Sequence, residues 1–339
     1  MKERDRIIKL VSQLCESNKE FLKKIGKDHK RVSKILNASA SNTEKTRELF
    51  SPLMIDFNYV GVSDRIADKF LEEHGDITYL QITRKLNKYR KERGRICAKL
   101  QNFDSFSDCG YLKGYEEGEE TCNNPNMYGK CPLPTHPLRR GGLNRTAYSL
   151  YFFLRDLCQG DLISHIDQII ESHVNSPHEE PCSQAVREAG KELIQSFSRV
   201  FGVGAKLANM TLADLLMVYK RNPNWPLVGW SLVAVDSLVH NFLHRTGALR
   251  VYDCEHGYGG KSCSDKCSQV IYSLAKEIDA SEHNPKHPKC FPRFVQHSIW
   301  AFCSENGSNI CNGNNIDDSG PCGMGEKCPV NEFCVKVPF

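Results

Sequence analysis

Residues 200–209 read VFGVGAKLAN and follow directly on an apolar stripe of Val186, Ala189, Leu193, Ile194, Phe197 and Val200. The three- and four-residue steps of that stripe predict an amphipathic helix. Gly202 and Gly204 then permit positive φ and close backbone approach, and a second helix is expected to start near Lys206. Helix, glycine turn and helix point backbone N–H groups outward from a tight turn, which suits a phosphate. A hairpin that turns on glycine for packing alone has the same local pattern. Lys206 follows the turn and precedes the small residues Ala208 and Asn209, so its amine is placed to face a groove.

Downstream, residues 225–247 read WPLVGWSLVAVDSLVHNFLHRTG. Asp236 is a good N-cap for a helix whose stripe is Val239, Phe242 and Leu243, with Gly247 just past its end. It can serve as a cap only. A capping carboxylate is also kept ionised by backbone N–H groups and the helix dipole, which is what a developing cation needs beside it. The tail carries Cys311, Cys322, Cys328 and Cys334 with ten, five and five residues between them, and Pro329 after the third. Four thiolates in a compact loop are a full ligand set for an iron–sulfur cluster or a zinc ion, with free or disulfide-bonded cysteines as the alternative. Cys303 is a possible substitute ligand.

The remaining chain fits an all-α fold. Ile7, Val11, Leu14, Phe21, Leu22 and Ile25 form one stripe, and Ser63 caps an expected helix through Ile66, Ala67, Phe70 and Leu71, with Gly75 past its end. Strand-like alternation is scarce. Apolar residues are 40% and charged residues 25% of 339, which excludes wholesale disorder and collagen-like repeats. No stretch approaches a membrane span, and the N-terminus MKERDRIIKLVSQ lacks a secretory core, so an intracellular setting is expected, cytoplasmic or nuclear. In that setting sixteen cysteines point to metal more than to disulfides.

Net charge is only +4, but it is uneven: residues 1–50 hold thirteen Lys/Arg against seven Asp/Glu, and residues 82–99 hold eight against Glu92 alone. Basic blocks on a nearly neutral chain suit a polyanion, or simply a solvated helix face. Two irregular, cysteine-bearing stretches, 101–143 and 303–339, have too few periodic apolar residues for a core, so a metal is expected to order them. Two further zinc sets are conceivable: Cys97, Cys109, Cys122 and Cys131, or Cys254, Cys263, Cys267 and Cys290. Neither has two tight C-x2-C pairs, and a joint site is also open.

The order of these signals resembles the endonuclease III family of DNA glycosylases. GVGAKLAN is similar to that family's GVGxKxAN hairpin, AVDSLVHNFLHRTG to its VDTHVxRxxxRxG segment, and CPVNEFC to the end of its iron–sulfur loop. A fainter similarity lies at YVGVSDRIADKF, residues 59–70. The strong part spans residues 183–247 and 311–334. Departures are specific: twenty-nine residues separate Lys206 from Asp236, about a dozen more than the family's; Phe201 replaces a proline; Leu238 and Asn241 replace polar or basic residues; Gly61 stands where a glutamine often enters the duplex. In the tail only the last cysteine interval matches the family's C-x6-C-x2-C-x5-C.

The resemblance implies a helix-hairpin-helix glycosylase fold of two helical subdomains with a C-terminal [4Fe–4S] loop and cysteine-rich insertions. A basic N-terminal extension would span 1–45. A core would span 46–247, containing the hairpin 200–209 and an insertion at 97–143. A C-terminal part would span 248–339, with a cysteine-rich loop at 254–290 and the iron–sulfur loop at 303–334. It implies a monomer acting on double-stranded DNA, with no membrane partner. Backbone at Phe201, Gly202, Val203, Gly204 and Ala205 would hold phosphate, and the target nucleotide would be flipped out. Asp236 would stabilise positive charge on the sugar. Lys206, neutralised by desolvation, would attack C1′ and form a Schiff base, giving lyase cleavage by β-elimination. Cys311, Cys322, Cys328 and Cys334 would ligate the cluster, in a structural role, with additional zinc possible; Lys327 and Lys336 nearby are candidates to face DNA or, more simply, solvated lysines. The alternatives are a non-catalytic DNA-binding scaffold and a glycosylase aimed at a deliberately modified base in genome defence.

Overall fold

The computed structural model describes residues 2–59, 69, 72–73, 75–93, 97–107, 109, 142–176, 178–313, 322 and 324–338. Among them the regular structure is helical, with no strand. In chain order the helices are α1 (Glu3–Ser17), α2 (Phe21–Asp28), α3 (Lys30–Asn37), α4 (Asn42–Tyr59), α5 (Tyr79–Arg93), α6 (Phe103–Ser107), α7 (Gly142–Phe152) and α8 (Leu162–His173). Then follow α9 (Gln184–Phe197), α10 (Ala205–Met217), α11 (Asn224–Ser231), α12 (Ser237–Arg245), α13 (Ala248–Val251), α14 (Cys263–Glu277), α15 (Ala280–His283) and α16 (Pro292–Cys303). None of them is long and apolar enough to cross a membrane. The Ser63-capped helix, Gly61, the 59–70 similarity beyond Tyr59, and Cys122 and Cys131 lie outside the described residues, apart from Lys69.

The chain divides into two compact units. One comprises residues 1–30, 172–191 and 212–339. Its centre is α16, which buries Phe294, Val295, Ile299 and Phe302 and even its Arg293, Gln296 and Ser298. A helix enclosed on all sides has no polar face to spare; α1, α11, α12 and α14 pack around it. Pro292 opens it at the first turn, where a missing N–H costs nothing. The single N-terminal stripe expected from sequence is two helices, because the chain turns at residues 18–20, where Asn18 N–H bonds back to the Cys15 carbonyl. Ile7, Leu10, Val11 and Leu14 then bury against the unit, as do Phe21 and Ile25. Within this unit Cys182 and Cys290 are joined as a disulfide.

The other unit comprises residues 31–171 and 192–211. Its core is aromatic: Phe153 lies 5.2 Å from Phe197 and Phe106 5.5 Å from Phe152, centroid to centroid. After Phe152 the helix α7 continues as a π-turn to Leu157. Asp156 in that turn accepts from the Phe103 N–H at 2.8 Å and from Arg155, tying α6 to it.

Candidate functional site

The glycine turn belongs to the second unit. Helix α9 ends at Phe197, the Val203 N–H donates to the Val200 carbonyl at 3.0 Å, and α10 opens at Ala205. Two residues of α7 shape the turn: the Phe201 N–H donates to Ser149 Oγ at 2.8 Å, and Thr146 packs beneath Gly202. Gly202 has φ +82°, and a Cβ there would come within 3.1 Å of Thr146 Oγ1, so both conformation and space demand glycine. Gly204 differs from expectation. Its φ is ordinary and a Cβ there would meet nothing among the described residues. The Arg145 guanidinium stacks on the Phe201 ring at 3.8 Å, and burial holds its pKa below the usual value. The Val203 side chain is buried, so only its backbone is available to a ligand. Lys206 is exposed on the first turn of α10.

Asp236 belongs to the first unit. It adopts extended backbone, and its carboxylate accepts from the Val239 N–H at 3.0 Å, the geometry of an N-cap. At the other end Gly247 has φ +75°, and a Cβ there would come within 2.9 Å of Val335 of the tail. Glycine is therefore required where helix α12 ends and the tail crosses it. Arg245, on the last turn of α12, is buried, and its Nη1 lies 3.7 Å from Cys311 Sγ. Its carbonyl accepts from the Val337 N–H at 2.9 Å. From α1, Arg6 donates to the carbonyls of Thr246 and Phe333.

Cys311, Cys322, Cys328 and Cys334 line one small cavity together with Arg245, Phe242 and Lys336. Cys303 does not line it; its thiol donates to Cys311, which lowers the Cys311 thiol to about 7 with help from Arg245. Burial pushes the Cys334 thiol up to about 11. Lys327 is exposed, whereas Lys336 borders the cysteines.

A second group of donors gathers beside α12. His240, His256, Cys263 and Cys267 place one ligand atom each within 4.8 Å of one another, and this group could hold a metal ion. Cys263 and Cys267 sit one turn apart at the start of α14, so both thiols project from one helix face. His240 is on α12, and its Nδ1 lies 3.4 Å from Cys267 Sγ and 3.6 Å from Cys263 Sγ. Cys254 and Cys290, expected in one set with these cysteines, are not part of this group. Cys290 is paired with Cys182, and Cys254 contributes its carbonyl, which lies 2.5 Å from His256 Nδ1. The two histidines carried no spacing signal, because the fold, not a short loop, brings α12 to α14. Of the other set, Cys97 and Cys109 are half-buried. Comparison with protein families, with characterised proteins and with solved structures returns no match for this chain.

Proposed function

We propose that the chain is a DNA glycosylase of the endonuclease III type that extrudes a damaged or modified base from duplex DNA and cleaves its N-glycosidic bond, with strand cleavage by β-elimination as a second activity. One observation carries the reading. Two of the three sequence signals, distant in the chain, meet on helix α12: Asp236 caps its start, and Arg245 at its end reaches the cavity lined by the tail cysteines. A capping carboxylate is held in a fixed place and can stabilise positive charge growing on a sugar. The glycine turn, with open space at Gly204, is suited to phosphate and would bind without reading sequence.

The donor set of the tail fits a [4Fe–4S] cluster: four cysteines on one cavity, with a buried guanidinium against them. Cys311, Cys322, Cys328 and Cys334 would hold it. Its contribution is to order a tail that has little core of its own. The chemistry falls to Asp236 and Lys206. Lys206 would attack C1′ through its neutral amine while the base departs, and loss of a C2′ proton from the resulting Schiff base would break the strand.

A second reading, a DNA-binding scaffold without catalysis, is favoured by the exposure of Lys206. A panel of duplexes, each with one altered base, separates the two. Cleavage after hot alkali reports excision, and cleavage without alkali reports the lyase step. No cleavage on any member favours the scaffold.

A further inference from the structure

We propose that His240, His256, Cys263 and Cys267 bind one Zn2+ ion in a closed tetrahedral site, distinct from the tail cysteines, that fixes the helix opened by Asp236. The proposal stands without the glycosylase reading.

Geometry supports a single ion. Bonds of about 2.3 Å to sulfur and about 2.0 Å to nitrogen at a tetrahedral angle place N and S about 3.5 Å apart. The observed separations are 3.6 Å for His240 Nδ1 to Cys263, 3.4 Å for His240 Nδ1 to Cys267, and 3.4 Å for His256 Nε2 to Cys267. A two-iron cluster with mixed ligands puts its histidines on one iron and its cysteines on the other. Such a cluster would not bring each imidazole nitrogen against a thiol.

The surroundings fit as well. The His256 Nδ1 proton points at the Cys254 carbonyl, which leaves the Nε2 lone pair facing the thiols. A ligand histidine held by a backbone carbonyl on its other nitrogen is the usual outer-sphere arrangement of zinc. Cys263 opens α14 and Cys267 lies one turn in, so both sulfurs are presented from one helix face. His240, Cys263 and Cys267 are all buried. Two thiolates also neutralise the ion's charge, so the closed site carries no net charge. With four protein ligands the ion has no open position, which marks it as structural.

The consequence lies in α12. His240 is one turn after Asp236 and Arg245 is on its last turn, so the zinc site and the tail hold the same short helix. His240 is a positioning residue.

The test uses the full chain, purified under reducing conditions, with zinc and iron measured together. About one zinc per chain is expected, lost in Cys267→Ser and in His240→Ala with iron retained, and kept in Cys254→Ser. Cys328→Ser should keep zinc. Should the ligand variants fail to fold, cobalt decides: the wild-type chain stripped with a chelator and loaded with Co2+ should show the intense visible bands of a tetrahedral thiolate site. His256→Cys should retain the metal and strengthen the sulfur-to-cobalt charge-transfer band. Zinc loss should also speed amide exchange across residues 237–243. Absence of zinc together with no cobalt bands would overturn the proposal, as would zinc that survives in Cys267→Ser, or iron that leaves in Cys267→Ser while no zinc is present.

Discussion

Arg245 aims its Nη1 at Cys311 Sγ from 3.7 Å, so the helix capped by Asp236 ends directly on the tail cysteines. A buried guanidinium beside thiolates offsets their mutual repulsion and donates to sulfur. The purified protein is therefore expected to be brown and to carry about four irons per chain. Cys328→Ser or Cys334→Ser should bleach it, and Arg245→Met should hasten bleaching in air. A colourless tail that carries zinc would refute the cluster assignment.

Gly202 and Gly204 separate folding from binding. Gly202→Ala forces a side chain into φ +82° against Thr146, at a cost of about 1–2 kcal/mol, seen as a lower Tm. Gly204→Leu enters open space and should leave Tm unchanged. It should weaken binding to two unrelated duplexes equally, since backbone contacts to phosphate carry no sequence information. A Gly204→Leu protein that binds DNA like the wild type would remove the turn from the interface.

Acid sensitivity should come from the first unit. His287 is buried between Phe291 and Phe294, and its ring nitrogens have no hydrogen-bond partner among the described residues. Burial, then the neighbouring His283, pushes its pKa down to about 4, with Glu20 opposing. Burial likewise lowers His297 to about 3. The unfolded chain binds these protons near pH 6.5, the folded chain only near pH 4 or below. Stability is thus complete above pH 6.5, falls as pH drops from 6.5 to 4, and for His287 falls no further below that. His287 alone accounts for about 3 kcal/mol across that window. Unfolding in denaturant at pH 7 and pH 4 measures it, and His287→Phe should flatten the dependence. An unchanged slope in that variant would show that other groups set it.

What was legible in sequence was local. Asp236 as a cap and Gly247 as the left-handed residue after the helix are read from a few neighbours, because capping depends on the next three N–H groups. The 184–197 helix and its buried stripe followed from a strong period. The gathering of the tail cysteines needed only a short loop. What escaped was long-range. His240 and Cys263 meet only because α12 packs on α14, and Cys290 finds Cys182 across 108 residues. The N-terminal stripe suggested one continuous face, yet the turn after Ser17 breaks the helix while keeping Phe21 and Ile25 inside. No periodicity argument contains that turn.

Asp236 can be tested without unfolding the helix. Asn also caps, so Asp236→Asn should keep Tm, while Asp236→Ala should lose about 1 kcal/mol with the cap. If the carboxylate stabilises charge on the sugar, Asp236→Asn should slow base release by about 10²-fold or more in single-turnover assays. Equal release by Asp236→Asn and wild type would reduce Asp236 to its structural role.

Lys206 decides between enzyme and scaffold. Its side chain is exposed at the start of α10. If Lys206 is the nucleophile, bound DNA must strip its water, and attack on C1′ then yields a Schiff base. Borohydride added during the reaction reduces that imine to a stable amine, which fixes protein to DNA covalently. Trapping should vanish in Lys206→Gln. Binding should remain, with the salt slope lower by no more than about one counterion, because one charge contributes about that much. Trapping that persists in Lys206→Gln moves the nucleophile to another amine, and acetylating the N-terminus then tests that candidate. The absence of both trapping and excision across the panel, in a protein that still binds duplex DNA, leaves a helical scaffold that holds phosphate through its glycine turn and performs no chemistry at Asp236.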